Sequence, residues 1–453
     1  MTGLPAERRD GWRTASRAAF AVSWALVGLN IPLAQGLFAR PLLFTATVGG
    51  RSYPVGAVVL IPLAAAVATC IGWWRPAPAR PWRWGHPAVT GPVAALGLLA
   101  LLRSWPVHAV GVLVVTVVGV ALFWGCYAYT LQVLPAGWAV STIGALALLH
   151  GVVALAQFVG QRSIGLTFLG ELVLDPQVRG VSVVEAGGQR WLRAYGLTPH
   201  PNVLGGISGV ALLVCLGAVL QAPRRCRWLW ASVGAAGMGL LLSFSRSAWL
   251  GTLLGLAYWV AVLRSWRALR WSERRTRAIV AAGLLLLTVV ALALGRLMAV
   301  RLGQVDSLLE RNSVVERLRD IGQAWMLIRH LPLRGVGTGY YVDALWAWAD
   351  ATGQSFPAFQ EVHNVPLLLS AEMGVLGGLL WLWLVACPPL RLAWDARGRS
   401  LPPAVARWGA AFLLLLAVGM LDNYPTFLNF RSGALLGVLC GIYARGVGGD
   451  DGP

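Results

Sequence analysis

Three residues in this chain are of the types that hold a phosphate or move a proton. Arg193 lies in Trp191-Leu192-Arg193-Ala194-Tyr195-Gly196, Arg246 in Ser245-Arg246-Ser247, and His363 in Glu361-Val362-His363-Asn364-Val365-Pro366. A guanidinium is a planar fork that matches the oxygens of a phosphate, and Ser245 and Ser247 offer hydroxyl donors on either side of Arg246. Asn364 is a natural N-cap for the apolar run that follows, and Pro366 suits its first turn. His363 therefore stands at the mouth of a helix, where the positive end of the dipole disfavours imidazolium and leaves a proton-accepting ring. Each residue alone also fits a plainer role: an arginine bound to headgroups or a carboxylate, a snorkelling arginine, a surface histidine beside a cap.

Glu372 falls about 12 Å along the same helix at 1.5 Å per residue. A carboxylate at that depth must be paired or face a wet cavity, and an arginine on a neighbouring helix is the expected partner. His150, the other ionisable group placed mid-span, reads as a hydrogen-bonded structural histidine.

The elements that must position these groups are membrane helices. The chain is 57% hydrophobic and 12% charged, with a mean hydropathy of +0.66. Apolar runs of bilayer-crossing length recur at roughly 18–38, 54–74, 88–102, 107–125, 138–160, 201–221, 228–244, 247–263, 278–298, 366–387, 407–421 and 433–445. The expected fold is an all-α polytopic membrane protein of about 12 transmembrane helices, with a large outer loop between helices 9 and 10. Residues 1–160 form an N-terminal scaffold of helices 1–5, 161–200 an outer loop, 201–298 helices 6–9, 299–365 the large outer loop, and 366–453 helices 10–12.

Charge orients this plan. All 37 basic residues are arginine, and they gather at the N-terminus (Arg8, Arg9, Arg13, Arg17) and in short turns such as Arg224-Arg225 and Arg264 to Arg277. Those segments fall on one side if both termini are cytoplasmic. The formal charge of +19 is thus topology, and its dispersal over short turns argues against nucleic acid as a partner. The six cysteines fall in spans or on the inner side, so neither a disulfide nor a thiolate metal site is expected. No outer Asp-x-Asp suggests a divalent metal.

The large outer loop has its own pattern. Ser313-Val314-Val315-Glu316 has capping-box form. Val314, Leu318, Ile321, Trp325 and Ile328 then recur at helical spacing, with Arg317, Arg319, Asp320, Gln323 and Arg329 on the other side. This predicts an amphipathic helix along the outer membrane face, stopped by Pro332. The glycines of Arg334-Gly335-Val336-Gly337-Thr338-Gly339 are not a nucleotide fingerprint, because no strand precedes them and no helix is expected to open on them.

Taken in order, Arg193-Ala194-Tyr195-Gly196 with Pro201-Asn202, then Ser245-Arg246-Ser247, then Trp325 through Leu331-Pro332-Leu333-Arg334-Gly335-Val336-Gly337 to His363-Asn364 and Gly374/Gly377, resemble the O-antigen ligase family. Its superfamily also contains the O-antigen polymerases. The first motif departs from the pattern by an extra His200-Pro201. The resemblance covers roughly residues 140–440 and implies a GT-C type, metal-independent, cofactor-free glycosyltransferase. Such an enzyme moves a glycan from a polyprenyl (undecaprenyl) diphosphate carrier to an acceptor sugar hydroxyl, on the periplasmic face of the bacterial cytoplasmic membrane, in polysaccharide or lipopolysaccharide biosynthesis. Carried onto this chain, His363 is catalytic, Arg193 and Arg246 bind diphosphate, and Asn364, Glu372, Ser245 and Ser247 support them. The partners implied are membrane lipid, the carrier-linked donor and a glycan or glycolipid acceptor. His363-Asn364 is ligase-like, and a polymerase of the same superfamily is the alternative. A transporter or lipid flippase would instead spread ionisable groups through the spans and show internal repeats, and neither is seen. The ligase reading places Arg193, Arg246 and His363 on one outward-facing cavity.

Overall fold

A computed structural model of the chain describes residues 6–28, 45–48, 51–54, 83–104, 110–221, 228–262, 294–303, 308–356, 358–397 and 403–446, with residues 288 and 292. The described helices are α1 (Ala6–Gly28), α2 (Pro87–Ser104), α3 (Val110–Gln132), α4 (Ala136–Gly160), α5 (Pro201–Gln221), α6 (Leu229–Leu242), α7 (Arg246–Val262) and α8 (Gly295–Arg301). They continue as α9 (Leu308–His330), α10 (Tyr341–Thr352), α11 (Val365–Met373), α12 (Val375–Asp395), α13 (Pro403–Gly419) and α14 (Phe430–Ala444). Two antiparallel hairpins join them: β1 (Thr45–Val48) with β2 (Arg51–Pro54), and β3 (Val183–Ala186) with β4 (Gln189–Leu192).

Among the described residues, five helical stretches are long and apolar enough to cross a membrane: Pro87–Ser104, Val112–Gln132, Ala136–Gly160, Pro201–Leu220 and Val375–Asp395. Leu229–Leu242, Val405–Gly419 and Phe430–Ala444 are apolar but shorter. The chain is thus a mostly helical membrane protein. The second expected span beyond Pro54, the later part of the first beyond Gly28 and most of the ninth lie outside the described residues.

Close helix packing comes from small residues at crossings. A Cβ on Gly255 would lie 3.0 Å from the Ala410 carbonyl, and one on Gly437 would lie 2.6 Å from that of Phe123. The backbones of α7 and α13, and of α3 and α14, can approach this closely only because no side chain intervenes. The main core runs through these helices, with Trp381, Trp408, Phe412 and Phe427 fully buried.

The structure departs from expectation in four places that shape the site. The single helix expected over 366–387 is two helices, broken at Gly374 (φ 83°, ψ 166°). α11 folds back on the first turns of α12, so that a Cβ on Gly378 would meet the Pro366 carbonyl at 2.5 Å. The amphipathic helix exists, but it starts at Leu308, so Ser313 is an interior residue and no capping box forms there. Its inward face is also turned from the expected one: Asp320 and Gln323 are buried against α10 and α11, while Val314, Leu318 and Trp325 are about half or more exposed and only Ile321 and Ile328 of the expected apolar set pack inward. The reason is that Ala324, Leu327 and Ile328 supply the contact with Tyr341, Leu345, Val362 and Leu368, and Asp320 and Gln323 share that face. Finally, a helix does open after Gly339, namely α10. The β3–β4 hairpin likewise stands in the stretch 161–200 expected only as a loop.

The glycine run serves this break. Val336 N–H donates to the Ala371 carbonyl (2.8 Å), Gly337 N–H to Glu372 (2.9 Å), and Val375 N–H to Pro332 (2.8 Å). The end of α11 and the start of α12 thereby find partners for backbone groups a helix break would orphan. Gly335 (φ 69°) and Gly374 approach so closely that a Cβ on either would lie 2.4 Å or less from backbone of the other segment. Glycine is required at both positions, by conformation and by space.

Candidate functional site

Arg193 and Arg246 meet at one turn. α6 ends at Leu242 and α7 begins at Arg246, and the residues between are held from both sides. The buried Arg193 donates from Nε to the Ser243 carbonyl at 2.9 Å, and Ala194 N–H donates to the Leu242 carbonyl at 2.9 Å. From the opposite side the buried Arg301 donates from Nε to the Phe244 carbonyl at 3.1 Å, while its own carbonyl accepts from Arg246 Nη1 at 3.5 Å. Three guanidinium groups thus gather on a four-residue turn. Phe244 is held there at φ 48°, a backbone region costly for a residue with a Cβ. Such strain is found where surrounding contacts over-determine a conformation, often at functional sites.

The hydroxyls of the turn are engaged locally. Ser245 Oγ lies 3.2 Å from Ser247 Oγ and accepts from Ala248 N–H at 3.4 Å, and Ser243 Oγ donates to Leu240. Their described work is to cap α7 and hold the turn.

Arg193 is positioned from α4. Gln157, fully buried, accepts from the N–H groups of Tyr195 and Gly196 through Oε1 and donates through Nε2 to the Gly196 carbonyl and Glu171. His150, two helical turns earlier, accepts from Leu197 N–H at 3.2 Å through Nδ1. That is the structural role expected for it, and together the two side chains fix the loop that carries Arg193.

His363 stands where the sequence places it. Asn364 caps α11, its Oδ1 accepting from Leu367 N–H at 2.9 Å, with Pro366 in the first turn. Its Nδ2 donates to the Met420 carbonyl at 2.9 Å, tying the cap to the end of α13. His363 is partly exposed, and its Nδ1 lies 3.1 Å from Oδ2 of the buried Asp320. Gln360 Nε2 donates to the same oxygen at 3.0 Å. Among the described residues Glu372 pairs with no arginine, contrary to expectation; its side chain is buried, and its backbone carbonyl accepts from Gly337 N–H at 2.9 Å, tying the glycine turn to α11.

Among the described contacts, His363 touches neither arginine directly. The link runs through the loop between α13 and α14. Arg193 Nη2 donates to Asn202 Oδ1 at 2.6 Å, Asn202 Nδ2 donates to Asp422 Oδ2 at 2.6 Å, and Asn423 donates from Nδ2 to Glu361 Oε2 at 2.8 Å and from its N–H to Asp422 Oδ1. Burial pushes the Asp422 carboxyl above the usual range, and nearby His363 and Arg317, with the bonds from Asn423 and Asn202, pull it partly back. Asp422 is therefore within electrostatic reach of the histidine while bonded to the arginine's partner.

Sequence reasoning missed Asp320, Arg301 and Asp422. Asp320 falls on the polar side of the expected amphipathic helix, whereas the fold turns that position inward. Arg301 follows a span without a motif of its own. Asp422 and Asn423 belong to no motif, and only the fold brings them to Asn202 and Glu361. Among the described residues no group of three or more His, Cys, Asp or Glu side chains could hold a metal ion.

Comparison with curated proteins returns no match. Residues 230–382 match the family model described as O-Antigen ligase, a stretch that holds Arg246, Arg301, Asp320, His363 and Glu372 but not Arg193, Asn202 or Asp422. The resemblance read from the sequence motifs is borne out, and the chain is a membrane protein carrying an O-antigen ligase family domain across residues 230–382.

Proposed function

We propose that this protein is an O-antigen ligase-like glycosyltransferase that moves a glycan from a polyprenyl diphosphate carrier to an acceptor sugar hydroxyl on the outer face of the cytoplasmic membrane. The observation that carries the reading is the hydrogen-bonded path from Arg193 through Asn202, Asp422, Asn423 and Glu361 to the segment bearing His363. It joins a cationic turn suited to diphosphate with a histidine suited to a hydroxyl proton, although the two are far apart in sequence.

Arg193 and Arg246 hold the diphosphate and stabilise the charge that grows on it as the glycosyl bond breaks. The acceptor oxygen bonds to the anomeric carbon, the carbon–oxygen bond to phosphate breaks with its electron pair on the diphosphate, and the hydroxyl proton passes to His363. Displacement in one step inverts the anomeric configuration and uses no metal. The histidine–asparagine pair at the mouth of α11 favours ligase over polymerase.

His363→Ala tests this. Transfer from an undecaprenyl diphosphate-linked oligosaccharide should fall about 10²–10⁴-fold, while carrier binding, which rests on the arginines, stays near normal. Near-normal transfer by the variant, or a product with retained configuration, would overturn the mechanism.

A further inference from the structure

The face of α9 that packs on α10 and α11 is apolar except for Asp320 and Gln323, and Asp320 is only 2% exposed. Packing alone does not call for a carboxylate there, since burying one is costly unless it is hydrogen-bonded and paired. Its partners are specific: His363 Nδ1 at 3.1 Å and Gln360 Nε2 at 3.0 Å, both on Oδ2, while its backbone carbonyl accepts from Tyr341 Oη at 3.4 Å. Tyr341 is itself fully buried, so the carboxylate rests on a rigid support.

An ionised carboxylate only accepts hydrogen bonds. The contact therefore assigns the hydrogen to Nδ1 of the neutral ring and leaves the lone pair on Nε2, the nitrogen for which no described residue competes. The side chain of His363 is 29% exposed, so the ring is open on one edge and held on the other.

We propose that Asp320 is a positioning residue for His363, fixing the ring in the Nδ1–H tautomer so that Nε2 takes the acceptor hydroxyl's proton. The proposal rests on the reading of His363 as the base. During transfer the hydroxyl proton goes to Nε2, the Nδ1 proton stays on the ring, and the carboxylate stabilises the imidazolium that forms. Carboxylate–histidine pairs act in this way elsewhere. Several other groups stand around the pair. Asp422 in the loop after α13 is within electrostatic reach of the ring and of Arg317, which lies on the same helix as Asp320. Glu361 on its own segment is bonded to Asn423. Tyr341 on α10 donates to the Asp320 carbonyl, and the buried Glu372 on α11 is within electrostatic reach of Tyr341 and Glu361. All of these remain in an Asp320 variant and form a constant background.

The test uses the full chain in lipid vesicles, with an undecaprenyl diphosphate-linked oligosaccharide as donor and a lipid-linked sugar as acceptor. Asp320→Asn should lower the plateau rate of transfer by about 10–100-fold. It should also move the acid limb of the pH–rate profile about one unit lower, because the imidazolium loses its counter-charge. Asp320→Glu, which keeps the charge, should leave the acid limb in place. A near-normal rate with an unmoved limb in Asp320→Asn, alongside an inactive His363→Ala, would overturn the positioning role and leave the base reading standing. Near-normal transfer by His363→Ala would overturn the base reading itself. If Asp320→Asn fails to fold, the ¹⁵N spectrum of histidine-labelled wild-type protein, with His363→Ala for assignment, decides. A pyridine-type signal from Nε2 of His363 supports the proposal, and one from Nδ1 overturns it.

Discussion

The side-chain amide of Asn202 donates to the carboxylate of Asp422 across 2.6 Å, joining the first turn of α5 to the loop between α13 and α14. The pair brings both ends of the site together, and Asp422 takes part as a buried group. Burial raises its folded-state pKa above the unfolded value. A carboxyl so raised adds stability that is fully present below the unfolded pKa and is lost as pH climbs through the folded one. Asp422→Asn should therefore flatten the melting temperature of the detergent-solubilised protein across that rise, from the ordinary carboxylate range upward. A wild-type profile that gains stability over this window would contradict the assignment.

Arg246→Lys keeps the charge but not the fork. Its guanidinium is fixed by the Arg301 carbonyl on one side, and a point ammonium cannot bridge that contact and a phosphate oxygen together. Transfer should fall about 10–100-fold, the loss of one charge-assisted hydrogen bond worth about 1.5–3 kcal/mol. Unchanged turnover would return Arg246 to the role of a snorkelling interfacial residue.

Gln157→Leu removes four hydrogen bonds from a fully buried side chain. The N–H groups of Tyr195 and Gly196 and the Gly196 carbonyl are left without this partner, at about 1–3 kcal/mol for each buried group that stays unsatisfied. The loop bearing Arg193 should loosen, seen as faster hydrogen exchange at residues 193–198 and reduced carrier binding. Protection equal to wild type would mean that the loop is held by other contacts.

Gly335 and Gly353 share φ 69°, but a Cβ would meet the Glu372 carbonyl at 2.3 Å in the first and nothing within 4 Å in the second. Gly353→Ala should cost only the left-handed conformation, about 1–2 kcal/mol. Gly335→Ala must also displace the backbone at the α11–α12 break, and should destabilise more and reduce transfer. Equal melting temperatures for the two variants would remove the close approach from the account.

What the sequence made legible is local. Asn364 could be read as a cap because a cap is a matter of three or four neighbouring residues, and α11 begins there. Arg193 and Arg246 could be singled out by their settings, though nothing in those settings says that both converge on the Ser243–Arg246 turn. Asp320 was hidden by the assumption that a helix turns its charged side to water; α9 keeps a carboxylate inside to meet a histidine 43 positions later. The break at Gly374 was masked by an unbroken apolar run, in which a glycine costs little by hydropathy. Long-range pairs such as Asn202 with Asp422, 220 residues apart, leave no trace in periodicity.

The reversal at Gly374 also couples His363 to the bilayer. With Pro366 beside Gly378, the histidine end of α11 rides on the second turn of α12, a helix long enough to span the lipid. Vertical sliding of α12 is then carried to the ring, whereas Arg193 and Arg246 are fastened to α4 through α7. On the proposed reading of His363 as the proton acceptor, a bilayer whose thickness tilts or shifts α12 should alter the rate of transfer, with the Asn202–Asp422 and Asn423–Glu361 bonds opposing the displacement.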